Sequence, residues 1–257
     1  MVEKSFKKLD GKKDYYQKYK DIIPKDVFKK YELDFAIRYT HESTKIEGNT
    51  LSLVENKLVI EDRMSVGGKT LREIYEVENH NKAFLYIKDN INNEIKLNGN
   101  IIKNIHGILM DNIIQGGIYR YTDVKITGAS HKPPSRTEMY NRLNIFYYDL
   151  ENKEMHPIEK ASWVHAEFVA IHPFADGNGR ASRMLMNYLL MENGYLPISI
   201  KPESKEAYYN TLDEYGKNKN LEPFIELVSN LEEKQLDIYN ILINQILENN
   251  NEIEPEI

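Results

Sequence analysis

The sequence predicts a mainly α protein, a helical bundle interrupted once by a short β-hairpin flap. Three observations carry this. Apolar residues recur every three to four positions along most of the chain. The period-two alternation of a strand is confined to Val124-Lys125-Ile126-Thr127. Cap residues, Gly and Pro punctuate the intervals between periodic segments.

The elements follow in order. Residues 26–47 form a helix, with Phe28, Tyr31, Phe35 and Tyr39 on one face, and Gly48-Asn49 ends it because both residues tolerate left-handed backbone. Ser52 with Glu55 is a capping box that opens a helix over 53–63. A loop over 65–69 leads to a helix over about 70–90, and Asn98-Gly99 leads into one over 98–109. Gly116-Gly117 breaks the pattern, the hairpin follows, and Pro133-Pro134 closes it. Helices are expected over 137–151 and 157–171, where Pro173 forbids continuation, and over 180–192, 204–215 and 221–247. The last residues read as a polar, acidic tail.

Composition narrows the function. The chain has 257 residues, 34 basic and 40 acidic, for a net charge of −6. This length suits one large domain, or a main domain with an appendage. With no Cys, a disulfide scaffold, a thiol nucleophile and a Cys-based zinc site are excluded, and a reducing cytoplasm fits. No run approaches the roughly 20 apolar residues of a membrane helix. The N-terminus lacks the apolar core of a signal peptide. The negative charge argues against a general nucleic-acid binder. A soluble cytoplasmic protein with no membrane and no nucleic-acid partner is expected.

The chemistry concentrates in His172-Pro-Phe-Ala-Asp176-Gly-Asn-Gly-Arg180-Ala-Ser-Arg183. A helix ends at a histidine, a tight loop with two glycines follows, and a new helix opens with two arginines three apart. Glycines let backbone N–H groups converge on an anion, and the helix start adds its own unpaired N–H groups and positive dipole end. Arg180 and Arg183 add bidentate donors for phosphate oxygens. Asp176 would repel phosphate in a plain anion hole. It makes sense as the carboxylate of a Mg²⁺ ion shared with phosphates. His172 stands where a general base could take a proton from an attacking hydroxyl. Singly, Gly-Asn-Gly is an ordinary turn, and His172 and Asp176 could be the metal ligands of a hydrolase. Jointly, these residues supply base, metal ligand, anion nest and clamps for nucleotidyl or phosphoryl transfer.

This segment resembles the signature of the Fic domain family, His-x-Phe-x-(Asp/Glu)-Gly-Asn-Gly-(Arg/Lys)-x-x-Arg, at every specified position. Gly117-Ile-Tyr-Arg120 with Val124–Thr127 resembles the family's flap, and residues 161–168 its pre-motif helix. The resemblance implies a Fic fold with an N-terminal helical region over 1–97, a Fic core over 98–231, and a C-terminal helix and tail over 232–257. It implies a protein adenylyltransferase that moves AMP from ATP, with Mg²⁺, to a Ser, Thr or Tyr hydroxyl of a target protein, the chain itself included. In that reading His172 is the base and Asp176 holds the metal. Gly177, Asn178, Gly179 and Arg180 cradle the phosphates, and Arg183 clamps the γ-phosphate. Val124, Lys125, Ile126 and Thr127 line the nucleotide, and the flap takes target backbone as an added strand. Tyr208 packs by the adenine. Relatives often dimerise, so a homodimer is admitted.

A second motif, Ser43-Thr-Lys-Ile-Glu47-Gly48, resembles the family's inhibitory helix, here about residues 35–49. Ser43 and Glu47 share a helical face. Glu47 in the last turn faces the negative dipole end and so invites a cation. The resemblance makes Arg183 that cation, which withholds it from ATP. Two alternatives accompany this expectation: a de-AMPylase or bifunctional enzyme that uses Glu47, and a nucleotide-binding regulatory module with little turnover. His165 and Trp163 read as packing residues.

Overall fold

The computed structural model describes residues 2–125 and 132–252. Helices α1 (Val2–Tyr19), α2 (Lys25–Ile46), α3 (Leu53–Glu61), α4 (Leu71–Asn92) and α5 (Gly99–Leu109) precede the flap region. Helices α6 (Arg136–Asn152), α7 (Pro157–Ile171), α8 (Asn178–Glu192), α9 (Lys205–Asn218) and α10 (Glu222–Glu252) follow it. Among the described residues no strand forms. Val124 and Lys125 lie in irregular backbone, and Ile126–His131 lie outside the described residues, so the expected hairpin falls largely outside them.

The caps explain the boundaries. Ser52 accepts from the Glu55 N–H while Glu55 returns a bond to the Ser52 N–H, as the sequence predicts. Thr70 and Glu73 form a second such box at the start of α4. Asn98 caps α5 from just outside it, so that helix begins at Gly99. The helix expected to run to residue 63 ends at Glu61, because Arg63 turns into left-handed backbone at φ 52°.

Among the described residues, the one α-helix given no range by the sequence-based expectation is α1. Its apolar content is low, but it lies along α10, where Lys12 reaches Glu233 at 2.7 Å and Asp237 at 2.6 Å. Tyr16 meets Tyr239 edge-on at 5.5 Å. Tertiary packing, not propensity, makes this helix.

The most extensive helix pair is α7 with α8. Every residue from Arg180 to Leu190 is buried, so α8 runs through the centre of one core that extends from Phe6 to Ile243. A helix covered on all sides must find partners for its polar residues. Asn187 does so by exchanging 2.9 Å bonds with the backbone of Ile198. His165 and Trp163 are packing residues, as expected. His165 is fully buried against the hydroxyls of Tyr208 and Ser182, and Trp163 stacks on Phe146.

Candidate active site

The sequence motif folds into the turn between α7 and α8. His172 ends α7 in left-handed backbone, φ 52° and ψ 60°. A non-glycine residue holds that conformation only when its surroundings impose it. Here Arg120 imposes it: its N–H donates to the Pro173 carbonyl at 2.8 Å and its Nε to the His172 carbonyl at 2.9 Å. The rest of the guanidinium donates to the carbonyls of Thr122 at 2.7 Å and Pro134 at 2.6 Å, the two feet of the flap region. Buried Arg120 thus ties the flap's base to the expected catalytic histidine.

The loop itself is stapled by Asn178, whose amide oxygen accepts from the Phe174 N–H and whose Nδ2 donates to the Phe174 carbonyl, both at 2.9 Å. Asn178 therefore shapes the cradle, and the polar end of its own side chain is spent on the loop. Gly177 needs φ 75°, and a side chain there would strike the Met110 sulfur. His106 of α5 stacks flat on Phe174 at 3.5 Å, donates from Nε2 to the Asp176 carbonyl at 2.9 Å and accepts the Gly117 N–H on Nδ1 at 2.8 Å. Burial holds His106 neutral, its pKa pushed down to about 4.

Asp176 keeps its side chain 40% exposed. Oδ1 accepts the Gly177 N–H at 2.6 Å, and Oδ2 receives Arg72 of α4 at 2.5 Å. Burial works to raise its pKa, but Arg180, the Gly177 N–H and Arg72 outweigh it, so the carboxyl titrates below its ordinary value. Arg180 is buried, 3.4 Å from Glu76 and 3.9 Å from Asp176, with its Nε and NH1 lacking hydrogen bonds. Buried donors left without hydrogen bonds suit an anion.

Arg183 is 1% exposed and well served. Nε donates to Ser43 Oγ at 2.9 Å, NH2 to the Ser43 carbonyl at 3.0 Å and to Glu47 Oε1 at 2.7 Å, and NH1 to the Tyr208 hydroxyl at 3.3 Å. Burial opposes its charge, but Tyr208 and Glu47 outweigh burial and raise its pKa. The Glu47 carboxylate lies over the first turn of α8, so close that a side chain at Gly179 would overlap it. A protein carboxylate thus sits at the helix start that the sequence assigns to phosphate.

The structure brings together His172, Asp176, Gly177, Asn178, Gly179, Arg180, Arg183, Ser43 and Glu47 around one turn. Val124 and Lys125 follow the Arg120 anchor, and Ile126 and Thr127 lie outside the described residues. Tyr208 departs from expectation. Its ring is 1% exposed and its hydroxyl serves Arg183 and His165, so it supports the arginine and has no face free for a base. Tyr209, the next residue, is 40% exposed, and burial first, then the Glu47 charge, push the pKa of its hydroxyl up.

Sequence reasoning missed Arg72, Glu76, His106 and the anchoring role of Arg120. Glu76 carried a legible signal, since a carboxylate next to Val77 and four before His80 falls on the apolar face of α4. His106 carried a weaker one, as a histidine among Ile101, Ile102, Ile105 and Leu109.

Among the described residues no group of three or more His, Asp or Glu could hold a metal ion. Asp176 alone, partly exposed and already facing a cation, fits an ion such as Mg²⁺ that keeps water and phosphate oxygens for its other ligands. No helix is long and apolar enough to cross a membrane, among the described residues.

Residues 96–190 match the Fic/DOC family. The chain is 34% identical over 245 residues to a protein of Aedes aegypti named protein adenylyltransferase Fic, covering 92% of this chain and 48% of that protein. It is 33% identical over 207 residues to the Drosophila grimshawi protein of the same name, covering 79% and 42%. The chain thus spans about half the length of the curated relatives it matches. Its fold superposes with TM-score 0.80 and 25% identity on a Fic domain containing signaling protein from Bacteroides thetaiotaomicron, covering 91% of this chain and 97% of that one. Fic-1 from C. elegans gives TM-score 0.80 and 25% identity, covering 92% and 70%.

Proposed function

This chain belongs to the Fic/DOC family, and on that premise we propose that it is a protein adenylyltransferase held off by its own Glu47. The relatives named protein adenylyltransferase Fic support the transfer of AMP from ATP to a protein. The observation that carries the autoinhibited form of the reading is the Glu47 carboxylate, 2.7 Å from Arg183 and seated on the first turn of α8.

In this reading His172 accepts the proton of a target Ser, Thr or Tyr hydroxyl, whose oxygen attacks the α-phosphorus while pyrophosphate leaves. Residues 177–179 at the start of α8 cradle the phosphates with backbone N–H groups, and Arg180 offers its unbonded donors. Arg183, once released by Glu47, clamps the γ-phosphate. Asp176 holds Mg²⁺, which when bound neutralises phosphate charge. The flap residues Val124–Thr127 line the nucleotide and hold target backbone. Tyr209 rather than Tyr208 offers a ring face to the base. Residues 98–231 form the Fic core, and α2 of the preceding region carries the brake.

The pairing of Arg183 with a charged partner contributes about 1.5–3 kcal/mol, roughly ten- to a hundredfold in an equilibrium. The test is α-labelled ATP on a Glu47→Gly chain with and without His172→Ala. The reading predicts a loss of about 10²–10⁴-fold in protein labelling, with ATP binding retained. Equal loss of labelling and ATP binding would make His172 a structural residue and overturn its assignment as base.

A further inference from the structure

The carboxylate assigned to the metal already has a cation on it. Of the two Asp176 oxygens, Oδ1 is tied to the Gly177 N–H at 2.6 Å. Oδ2 is the one left to project, and Arg72 NH2 meets it at 2.5 Å. The same guanidinium places Nε 3.2 Å from Glu76 Oε1. A planar fork spanning two carboxylates is held in place as a lysine ammonium would not be.

We propose that Arg72 occupies the place of the divalent cation on Asp176, so that cation binding requires Arg72 to let go. This rests on the reading of Asp176 as the metal-holding residue, and it adds to that reading a second restraint, distinct from Glu47.

Two features support an occupant that can leave. The Arg72 side chain is 54% exposed, so it can swing into solvent without unpacking the core. Its other anchor, Glu76, has a nearly covered side chain and also faces Arg180 at 3.4 Å, so the carboxylate stays partnered when Arg72 departs. Glu76 further accepts from Asn49 Nδ2 at 3.1 Å, two residues beyond Glu47. Asn49 Nδ2 also donates to the Glu73 carbonyl at 2.9 Å, and Thr50 donates to the Glu73 carboxylate from its N–H at 3.1 Å and its hydroxyl at 2.6 Å. The segment that follows the brake and the turn that carries Arg72 are therefore bonded together.

The expected size is that of an exposed ion pair. Removing Arg72 tightens cation binding roughly two- to fivefold. The experiment uses the full chain with saturating ADP and follows Mn²⁺ by the electron paramagnetic resonance of the free ion. Wild type is compared with Arg72→Gln, Arg72→Lys and Asp176→Asn. Arg72→Gln keeps a neutral hydrogen bond to Glu76, and its melting temperature reports whether the fold is intact.

The proposal expects tighter Mn²⁺ binding in Arg72→Gln, a partial gain in Arg72→Lys, and the same gain when Glu47→Gly is already present. Unchanged or weaker binding in Arg72→Gln, while Asp176→Asn weakens it, overturns the proposal and leaves the metal reading standing. Arg72→Lys identical to wild type beside a gain in Arg72→Gln reduces the effect to charge and overturns the contact. Asp176→Asn binding Mn²⁺ as wild type does overturns the metal reading and the proposal together.

Discussion

Arg180 and Arg183 lie one turn apart on α8, both buried, yet their surroundings differ in kind. Arg183 has hydrogen bonds from Nε, NH1 and NH2 to Ser43, Glu47 and Tyr208. Arg180 has a sulfur at 3.8 Å, two carboxylates at 3.4 and 3.9 Å, and no hydrogen bond on Nε or NH1. One side of the motif is closed by the chain itself and the other is left with donors to offer. An inhibitory element that satisfied both arginines would leave little for a nucleotide to gain. In the proposed reading, satisfying one withholds the clamp and leaves the cradle ready.

The largest expected effect probes this difference through stability. Arg183→Met should cost about 1.5–3 kcal/mol, because it removes the charge-assisted bonds to Ser43 and Glu47. Arg180→Met, which keeps the volume and loses few bonds, should cost about 1 kcal/mol or less. Urea unfolding of the two variants measures the contrast, and equal costs would break it.

The next effect is shared by both sides. His106 on the Arg180 side, His165 on the Arg183 side and His80 between them are buried and held below the ordinary histidine value of 6.5, with desolvation the first cause in each. The unfolded chain binds protons that the folded chain refuses. Stability is therefore complete above about pH 6.5 and falls as pH drops toward 4, on the order of 3 kcal/mol for His106 alone. Melting curves from pH 7 to pH 4.5 check this, and removing His106 (His106→Gln) should flatten part of the slope. A flat profile in wild type would contradict the account.

The smallest effect isolates one bond of the closed side. Ser43→Ala removes the 2.9 Å acceptor of Arg183 Nε and leaves the Glu47 pair in place. At about 1 kcal/mol this should raise basal transfer roughly fivefold. No rise would mean that Ser43 merely fills space.

Much of this molecule is legible in its sequence, and the illegible parts share a physical cause. The proposed brake and the motif are each local patterns: a helix with Ser43 and Glu47 on one face, and a turn fixed by Pro173, Gly177 and Gly179. Their residue types announce the chemistry even though 136 positions separate Glu47 from Arg183. Arg72 announces nothing, because it is a surface-type residue whose partner, Asp176, lies 104 positions away and is brought near only by the packing of α4 on α8. α1 is invisible for the same reason, being a polar helix made by its contacts with α10. Tyr208 shows a different limit. Two adjacent tyrosines point to different sides of α9, and only the packed structure separates the buried ring from the open one.

The central claim is that Glu47 restrains an otherwise competent transferase by holding Arg183. The most direct measurement is transfer of α-labelled AMP to protein by wild type and Glu47→Gly side by side, at equal enzyme and ATP. The account predicts a rise of roughly ten- to a hundredfold on losing Glu47, the range of one charge-assisted pair. Equal labelling by the two proteins would contradict it.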